Sequence, residues 1–415
     1  MVDHDRSVAV TGIGVQTSIG CTRSSFWENL VAGKSGVRPI RAFDAALQKS
    51  RIASEVADFD PLVVLNSKQA RRMARVSQLA VCAASEAVKD AGLDLGREAP
   101  ARVGCIIGSA AGDYNTLEEQ LFRFEKKGPG SVNALTVPKV IPNMPAANVA
   151  LTLGITGPNF GVSSACATGG HAIGLARAII LQGLVDVVLA GGTESTITPF
   201  VLDGYSSMGV LSQRNGDCES ASRPFDADRD GFVMGEGAGV LVLESMEHAK
   251  KRDAEILALV RGLGMTCDAY SVAIPEPTGK TAAGAIELAL RDAALNVEDI
   301  GFINAHGTST KANDRIETNA VRHAFGSRAQ TVPVSSNKSM IGHTLGAAGA
   351  IEAAATVLTL LHGIIPPNIN YQTPDPECDL NIIGNHAVEA EVKAAISNSF
   401  GFGGQNAVLV FTRFP

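Results

Sequence analysis

The sequence predicts an α/β protein made of two copies of one layered unit. Three observations carry this. Apolar, strand-like runs alternate with helix-like runs along the chain. The order of elements restarts near residue 250, the sign of an internal repeat. The two most Ala/Gly-rich helical runs recur at equivalent places, where small side chains let a central layer pack closely. The division falls between residues 1–252 and 253–415.

The elements follow in order. SVAVTGIG at 7–14 is the first strand, and the Trp-containing segment SSFWENLVAG after it is amphipathic. Residues 67–93 read as one helix, with apolar residues at helical spacing, and RVGCIIGS at 102–109 as a strand. Residues 110–145 show little period and read as a long functional insertion. NFGVSSACATGGHAIG at 159–174 turns from an extended run into a small-residue helix. DVVLAGGTES and GVLVLES are strands at 186–195 and 239–245, separated by a loop-rich stretch, and a short helix at 246–252 ends the first copy.

The second copy repeats the plan, giving a βαβαβαββ unit twice. ILALVRGLG at 256–264 matches the opening strand, and GKTAAGAIELALRDAAL at 279–295 matches the helix near 79–92. IGFINAHGTS at 300–309 matches RVGCIIGS, and the run at 335–363 matches that at 163–183. AVLVFTR at 407–413 matches GVLVLES. Equivalent positions should converge at a pseudo-twofold axis, bringing the corner at Cys166 near His343 and His306.

Composition narrows the class. Of 415 residues, 45% are hydrophobic, 19% charged and 5% aromatic, enough for a large close-packed core. The net charge of −7 argues against nucleic acid as a partner. The chain enters its first strand without an apolar signal-peptide core, and no run reads as the ~18 apolar residues of a membrane span. Seven scattered cysteines form no CxxC pair, so neither a zinc site nor a disulfide framework is indicated. The expectation is a soluble, reduced, cytoplasmic protein.

Cys166 sits where a strand gives way to a helix. The positive end of a helix dipole favours thiolate there, and Ala167, Gly169 and Gly170 leave room for a substrate. Cys166 is therefore a candidate covalent nucleophile, against the alternative of a buried structural cysteine. His306, in NAHGTST, follows a strand end, where catalytic groups gather, though it also suits a turn. His343, in KSMIGHTLGAAGA, opens a helix, which disfavours imidazolium; a satisfied core histidine fits too. Lys338 and Glu352 flank it and could form a structural ion pair. The tail SFGFGGQN at 399–406 lets backbone approach a ligand, or simply makes a tight turn. His171 reads as a packing residue on the central helix.

Together these motifs resemble the elongating β-ketoacyl-[acyl carrier protein] synthases, from about residue 7 to the end. ASRPFDADRDGFVMGEGAG belongs to the same resemblance, with no chemistry assignable from its residues alone. The resemblance implies a thiolase-like, duplicated five-layer αβαβα sandwich and a dimer. It implies decarboxylative condensation of a Cys-bound acyl chain with malonyl-acyl carrier protein, with no cofactor and no metal. It makes Cys166 the acylated nucleophile and His306 and His343 the pair that promotes decarboxylation. Lys338 and Glu352 would support the site. The backbone N–H groups of Cys166 and Phe402 would form the oxyanion hole, with Phe402 also the gate. Thr308 and Thr310 would hold the phosphopantetheine arm. A thiolase would carry a second catalytic cysteine in the tail, and a chain-initiating synthase an asparagine in place of His343. A non-catalytic chain-length factor would lack the nucleophile.

Other positions bear on substrate and partner. Gln405 replaces a threonine common in such tails, and KANDRIET at 311–318 resembles type II polyketide ketosynthases. The resemblance places Leu117, Thr136, Tyr205 and Phe400 in the acyl pocket, Thr136 standing where a bulky aromatic is frequent. A smaller residue there would open the pocket towards a partner subunit. This points to a specialised polyketide or polyene synthase, a homodimer or a heterodimer with a chain-length factor. The alternative is housekeeping fatty-acid elongation. Lys68, Arg71, Arg72 and Arg75 read as a docking patch for an acidic carrier protein, against a merely solvated helix face.

Overall fold

The computed structural model describes residues 7–415. Residues 1–6, where the signal-peptide expectation falls, lie outside the described residues. The main sheet has eleven strands; five of each half mirror one another about the centre, and Asn381–Ile382 is an extra strand at the second half's edge. From one edge it runs Asn159–Phe160, Val103–Gly108, Val187–Glu194, Gly237–Ser245, Val8–Gln16. It continues Ala258–Cys267, Gln405–Thr412, Ala394–Gly401, Phe302–Asn304, Pro333–Ser335, Asn381–Ile382. The two opening strands join the halves through three residue pairs, Val8–Val260, Ala9–Leu259 and Val10–Ala258.

The layers explain the sequence pattern. Val8–Gln16 is buried along its whole length, so it reads as an apolar run rather than an alternation. The helices Thr168–Leu181 and Ala348–His362 pack on each other and on strands of both halves, forming the middle layer. The helix Arg75–Asp90 covers the first half's strands from outside, and Lys280–Ala293 covers the second's. A central apolar cluster spans both halves, and a separate cluster lies under each outer helix layer. This is the five-layer duplicated sandwich. Leu345–His362, with 18 residues and mean hydropathy 1.4, is long and apolar enough for a membrane span, contrary to the reading of the sequence. It is the buried central helix, 89% of it inside the fold.

Three other expectations change. The single helix at 67–93 is two, Ser67–Arg72 and Arg75–Asp90, because Met73 and Ala74 are extended. The break lets Arg75 reach inward to Glu236, while Gln78 Nε2 caps the carbonyl of Ala70 at 2.8 Å. The insertion at 110–145 holds helices Tyr114–Lys127 and Thr136–Val140 and the start of Met144–Leu153. The first carries Leu117, Leu121 and Phe124 at helical spacing, a pattern the reading of the sequence passed over, and Leu121, Phe122 and Phe124 stay exposed. The strand expected at 300–309 is only Phe302–Asn304, after which the chain loops away through His306.

Candidate active site

Cys166 lies in the tight turn Ala165–Ala167, just before the central helix that starts at Thr168. Ala165 takes a left-handed conformation, φ 48°, rare for a side chain-bearing residue and costing about 1–3 kcal/mol. The turn is braced by Thr168, whose hydroxyl accepts from Ser164 N at 2.8 Å. His171 does more than pack: its Nδ1 meets the Ser164 hydroxyl at 2.7 Å, fastening the same turn.

The repeat brings the two histidines to the thiol. His343 Nε2 is 3.0 Å from Cys166 Sγ, and the His306 and His343 rings stand edge to face at 5.4 Å. Phe400 packs on His306 at 5.8 Å and Phe232 on His343 at 5.4 Å. Lys338 and Glu352 are a buried ion pair beneath them. The ammonium also donates to the His306 carbonyl at 2.6 Å and faces His306 Nδ1 at 3.4 Å. An ammonium has no lone pair, so Nδ1 accepts and neutral His306 carries its proton on Nε2.

Electrostatics fix the resting state. Burial holds both imidazoles well below the ordinary histidine range, and the Lys338 charge adds to it, so both are neutral at pH 7. The thiol departs from expectation. Burial pushes Cys166 up to about 12, against the opposing pull of Lys338 and the Phe402 N–H. Desolvation outweighs the helix end, and the resting group is a thiol rather than a thiolate.

Two cavities meet at Cys166. One, of about 120 Å³, is lined by His306, His343, Thr308, Thr310, Phe400 and Phe402. The other runs past Ala110, Ala111, Phe200, Val201, Tyr205 and Leu345. Tyr205 and Phe402 border both, their rings 6.4 Å apart. A Cβ at Gly401 would sit 3.2 Å from Cys166 N, so glycine lets the strand end at Phe402 close on the nucleophile's backbone. The hydroxyls of Thr308 and Thr310 are 3.0 Å apart, and that of Thr310 caps the helix Lys311–Phe325.

Some expected residues fall elsewhere. Phe400 belongs with the histidines in the first cavity and does not line the second. Leu117 lines a separate outer groove, which shares Tyr114 and Phe200 with the second cavity. Thr136 is buried on its short helix and lines none of these three spaces within one chain. Lys68, Arg71 and Arg72 are exposed as a docking patch needs. Arg75 is not available: it forks onto Glu236 at 2.9 and 2.6 Å and stacks on Phe59 at 5.2 Å.

Sequence reasoning missed the residues that brace the site. Glu317, fully buried, accepts from the backbone N–H groups of His306 at 2.8 Å and Gly307 at 2.7 Å. The unexplained run at 221–239 turns out to be a strap around both histidines. Arg223 N donates to Ser309 Oγ at 2.9 Å, and Arg229 Nε to the Thr310 carbonyl at 3.1 Å. His343 N donates to the Val233 carbonyl at 2.7 Å, and Gly235 N to the His343 carbonyl at 2.9 Å. The dense Arg/Asp pairing of that run was the available signal.

The sandwich, with one cysteine and two neutral histidines at its pseudo-twofold axis, defines a condensing enzyme of the thiolase-like class. Comparison with known proteins makes it specific. Residues 5–249 match the beta-ketoacyl synthase N-terminal domain and residues 257–372 the C-terminal domain, and the chain belongs to that family. It is 45% identical over 409 residues to a 3-oxoacyl-[acyl-carrier-protein] synthase 2 of Synechocystis sp., covering 99% of this chain and 98% of that one. It is 43% identical to the protein of the same name in Coxiella burnetii, covering 98% and 99%. Among solved structures, the ishigamide ketosynthase/chain length factor matches with TM-score 0.93 at 36% identity, covering 99% of this chain and 100% of that chain. A type II polyketide synthase ketosynthase, bound to its acyl-carrier protein and a hexaketide, matches with TM-score 0.92 at 35% identity and the same coverage.

Proposed function

We propose that this protein is a β-ketoacyl-[acyl carrier protein] synthase that lengthens a Cys166-bound acyl chain by two carbons from malonyl-acyl carrier protein. The observation that carries this is the meeting of Cys166, His343 and His306 at one cavity mouth, with both imidazoles neutral. In the first step Cys166 Sγ attacks the carrier thioester. The thiol is protonated at rest, and His343 Nε2 is placed to pass its proton on to the departing carrier thiol. In the second step the malonyl carboxylate leaves as CO₂ and its electron pair becomes an enolate. The N–H at His306 Nε2, aimed at the enolate oxygen, stabilises charge where it develops, such a donor being worth about 3 kcal/mol. The enolate carbon then attacks the acyl-Cys166 carbonyl. The N–H groups of Cys166 and Phe402 hold the tetrahedral oxygen until the Cys166 sulfur leaves. Thr308 and Thr310 line the arm's route, and no step calls on a metal or organic cofactor.

For the pathway we favour specialised type II polyketide or polyene synthesis beside a chain-length-factor partner. KANDRIET, Gln405 and the ketosynthase structures support that reading. The higher identity to 3-oxoacyl-[acyl-carrier-protein] synthase 2 proteins supports housekeeping elongation as the second reading. We place the protein in the cytoplasm. Mass spectrometry of Cys166 after incubation with a panel of acyl carriers tests both levels. The wild type should gain one acyl group on Cys166 and Cys166→Ala none; acylation of the variant at the same rate would end the proposal. Polyenoyl or polyketide carriers outpacing saturated ones would select the first pathway, and the reverse order the second.

A further inference from the structure

The two halves present matching turns to the site. Ala165, before Cys166, has φ 48°, and Leu345, before Gly346, has φ 49°. Each opens a short turn, Ala165–Ala167 and Leu345–Ala347, that runs into a central helix. Gly346 is thus the counterpart of Cys166. A carboxylate stands against that counterpart. Glu194 Oε2 accepts from Gly346 N at 3.2 Å and from Ala110 N at 2.8 Å, and Oε1 accepts from the Ser109 hydroxyl at 3.0 Å. Glu194 is completely buried, and a Cβ on Gly346 would lie only 2.6 Å from its Oε2.

The carboxylate joins two parts that the reaction uses together. Ala110 and Ala111 are walls of the second cavity, and Leu345 borders both cavities. Gly346 lies three residues beyond His343 on a short, tightly turned segment. We propose that Glu194 is a positioning residue that sets the aim of His343 on Cys166 by tying the cavity wall at Ser109–Ala110 to the turn Leu345–Gly346. This rests on the reading of Cys166 and His343 as a reacting pair. Glu194 touches no substrate; it acts through the backbone that carries His343.

A double-mutant cycle tests it, read as the rate of Cys166 alkylation by iodoacetamide, followed on the Cys166 peptide by mass spectrometry across pH. Coupled residues give non-additive effects, so Glu194→Ala should slow alkylation about 10-fold, against the direct effect of losing a negative charge that holds the Cys166 thiol up. The same change made on top of His343→Ala should add nothing. Equal effects in both backgrounds would overturn the proposal, because a merely structural carboxylate acts independently of His343. Glu194→Ala leaves three donors unpaired in the core and can unfold the chain, so a milder variant runs alongside. Glu194→Asp, one methylene short, should show the same coupling. Wild-type alkylation in it would also overturn the proposal. Glu194→Gln keeps an oxygen for the two N–H groups and should return the rate to within about 3-fold of wild type. If the wild type accepts no acyl group on Cys166 from any carrier, the condensing reading fails, while the alkylation cycle still reports on Glu194.

Discussion

Lys338 shows how much of this site depends on one buried charge. It is 1% exposed, paired with the fully buried Glu352, and it donates to both the carbonyl and the ring of His306. Removing one partner of such a pair leaves the other uncompensated, which costs about 3–5 kcal/mol. Lys338→Met, which keeps the stem's volume, should therefore lower the denaturant midpoint by a corresponding amount. It should also move the acid limb of the rate profile. His306 is held low first by burial and then by the Lys338 charge, so losing that charge raises its pKa. Neutral His306 is then lost at a higher pH, and activity should fall off earlier on the acid side than in the wild type. An unmoved acid limb would show that His306 protonation does not limit the rate. Cys166, His306 and His343 were legible because their side chains do chemistry and sit in distinctive turns. Glu317 and Glu194 were not, because they accept backbone N–H groups from distant segments, and no local spacing records that.

At the level of elements, the central helices were legible because they must be built from small residues. Gly169 shows why: a Cβ there would lie 2.5 Å from the backbone nitrogen of Ala350 on the facing helix. Gly→Ala in a helix normally gains up to ~1 kcal/mol, but an unyielding backbone contact costs about 1–3 kcal/mol, so the clash wins. Gly169→Ala should lower Tm, while Gly174→Ala, whose Cβ meets only the tip of Leu263, should be tolerated far better. Equal melting of the two variants would show that the helices part without cost. The opposite case is Tyr114–Lys127, a helix that the reading of the sequence missed. Asp113 caps it by accepting from Thr116 N at 3.2 Å, and Leu117, Leu121 and Phe124 recur at helical spacing, so the signal was present; what is unusual is that this apolar face is not buried within the chain. The repeat, by contrast, survives in the strand order itself, because each half must present the same surface to the shared middle layer.

Over the whole molecule, charge poses a problem for an acidic carrier protein as partner. The net charge is −7, which repels such a partner at long range. Screening limits that repulsion to about 8 Å at physiological ionic strength, so a local basic patch decides docking. The exposed patch comprises Lys68, Arg71 and Arg72, and Lys139 extends it by donating to the Arg71 carbonyl at 3.1 Å. Arg75 is excluded, since its guanidinium is already engaged by Glu236 and the Val56 carbonyl. Two kinds of variant should therefore part company. Arg71→Glu with Arg72→Glu should raise the apparent KM for the malonyl carrier about 10-fold with kcat nearly unchanged, as expected when encounter rather than chemistry is disturbed. The variant's KM should also respond less to salt than the wild type's. Arg75→Ala should leave that KM in place and instead lower Tm, because it strands Glu236 in a buried position. A KM unchanged by the double reversal would move the docking surface elsewhere, and a raised KM in Arg75→Ala would return that residue to it.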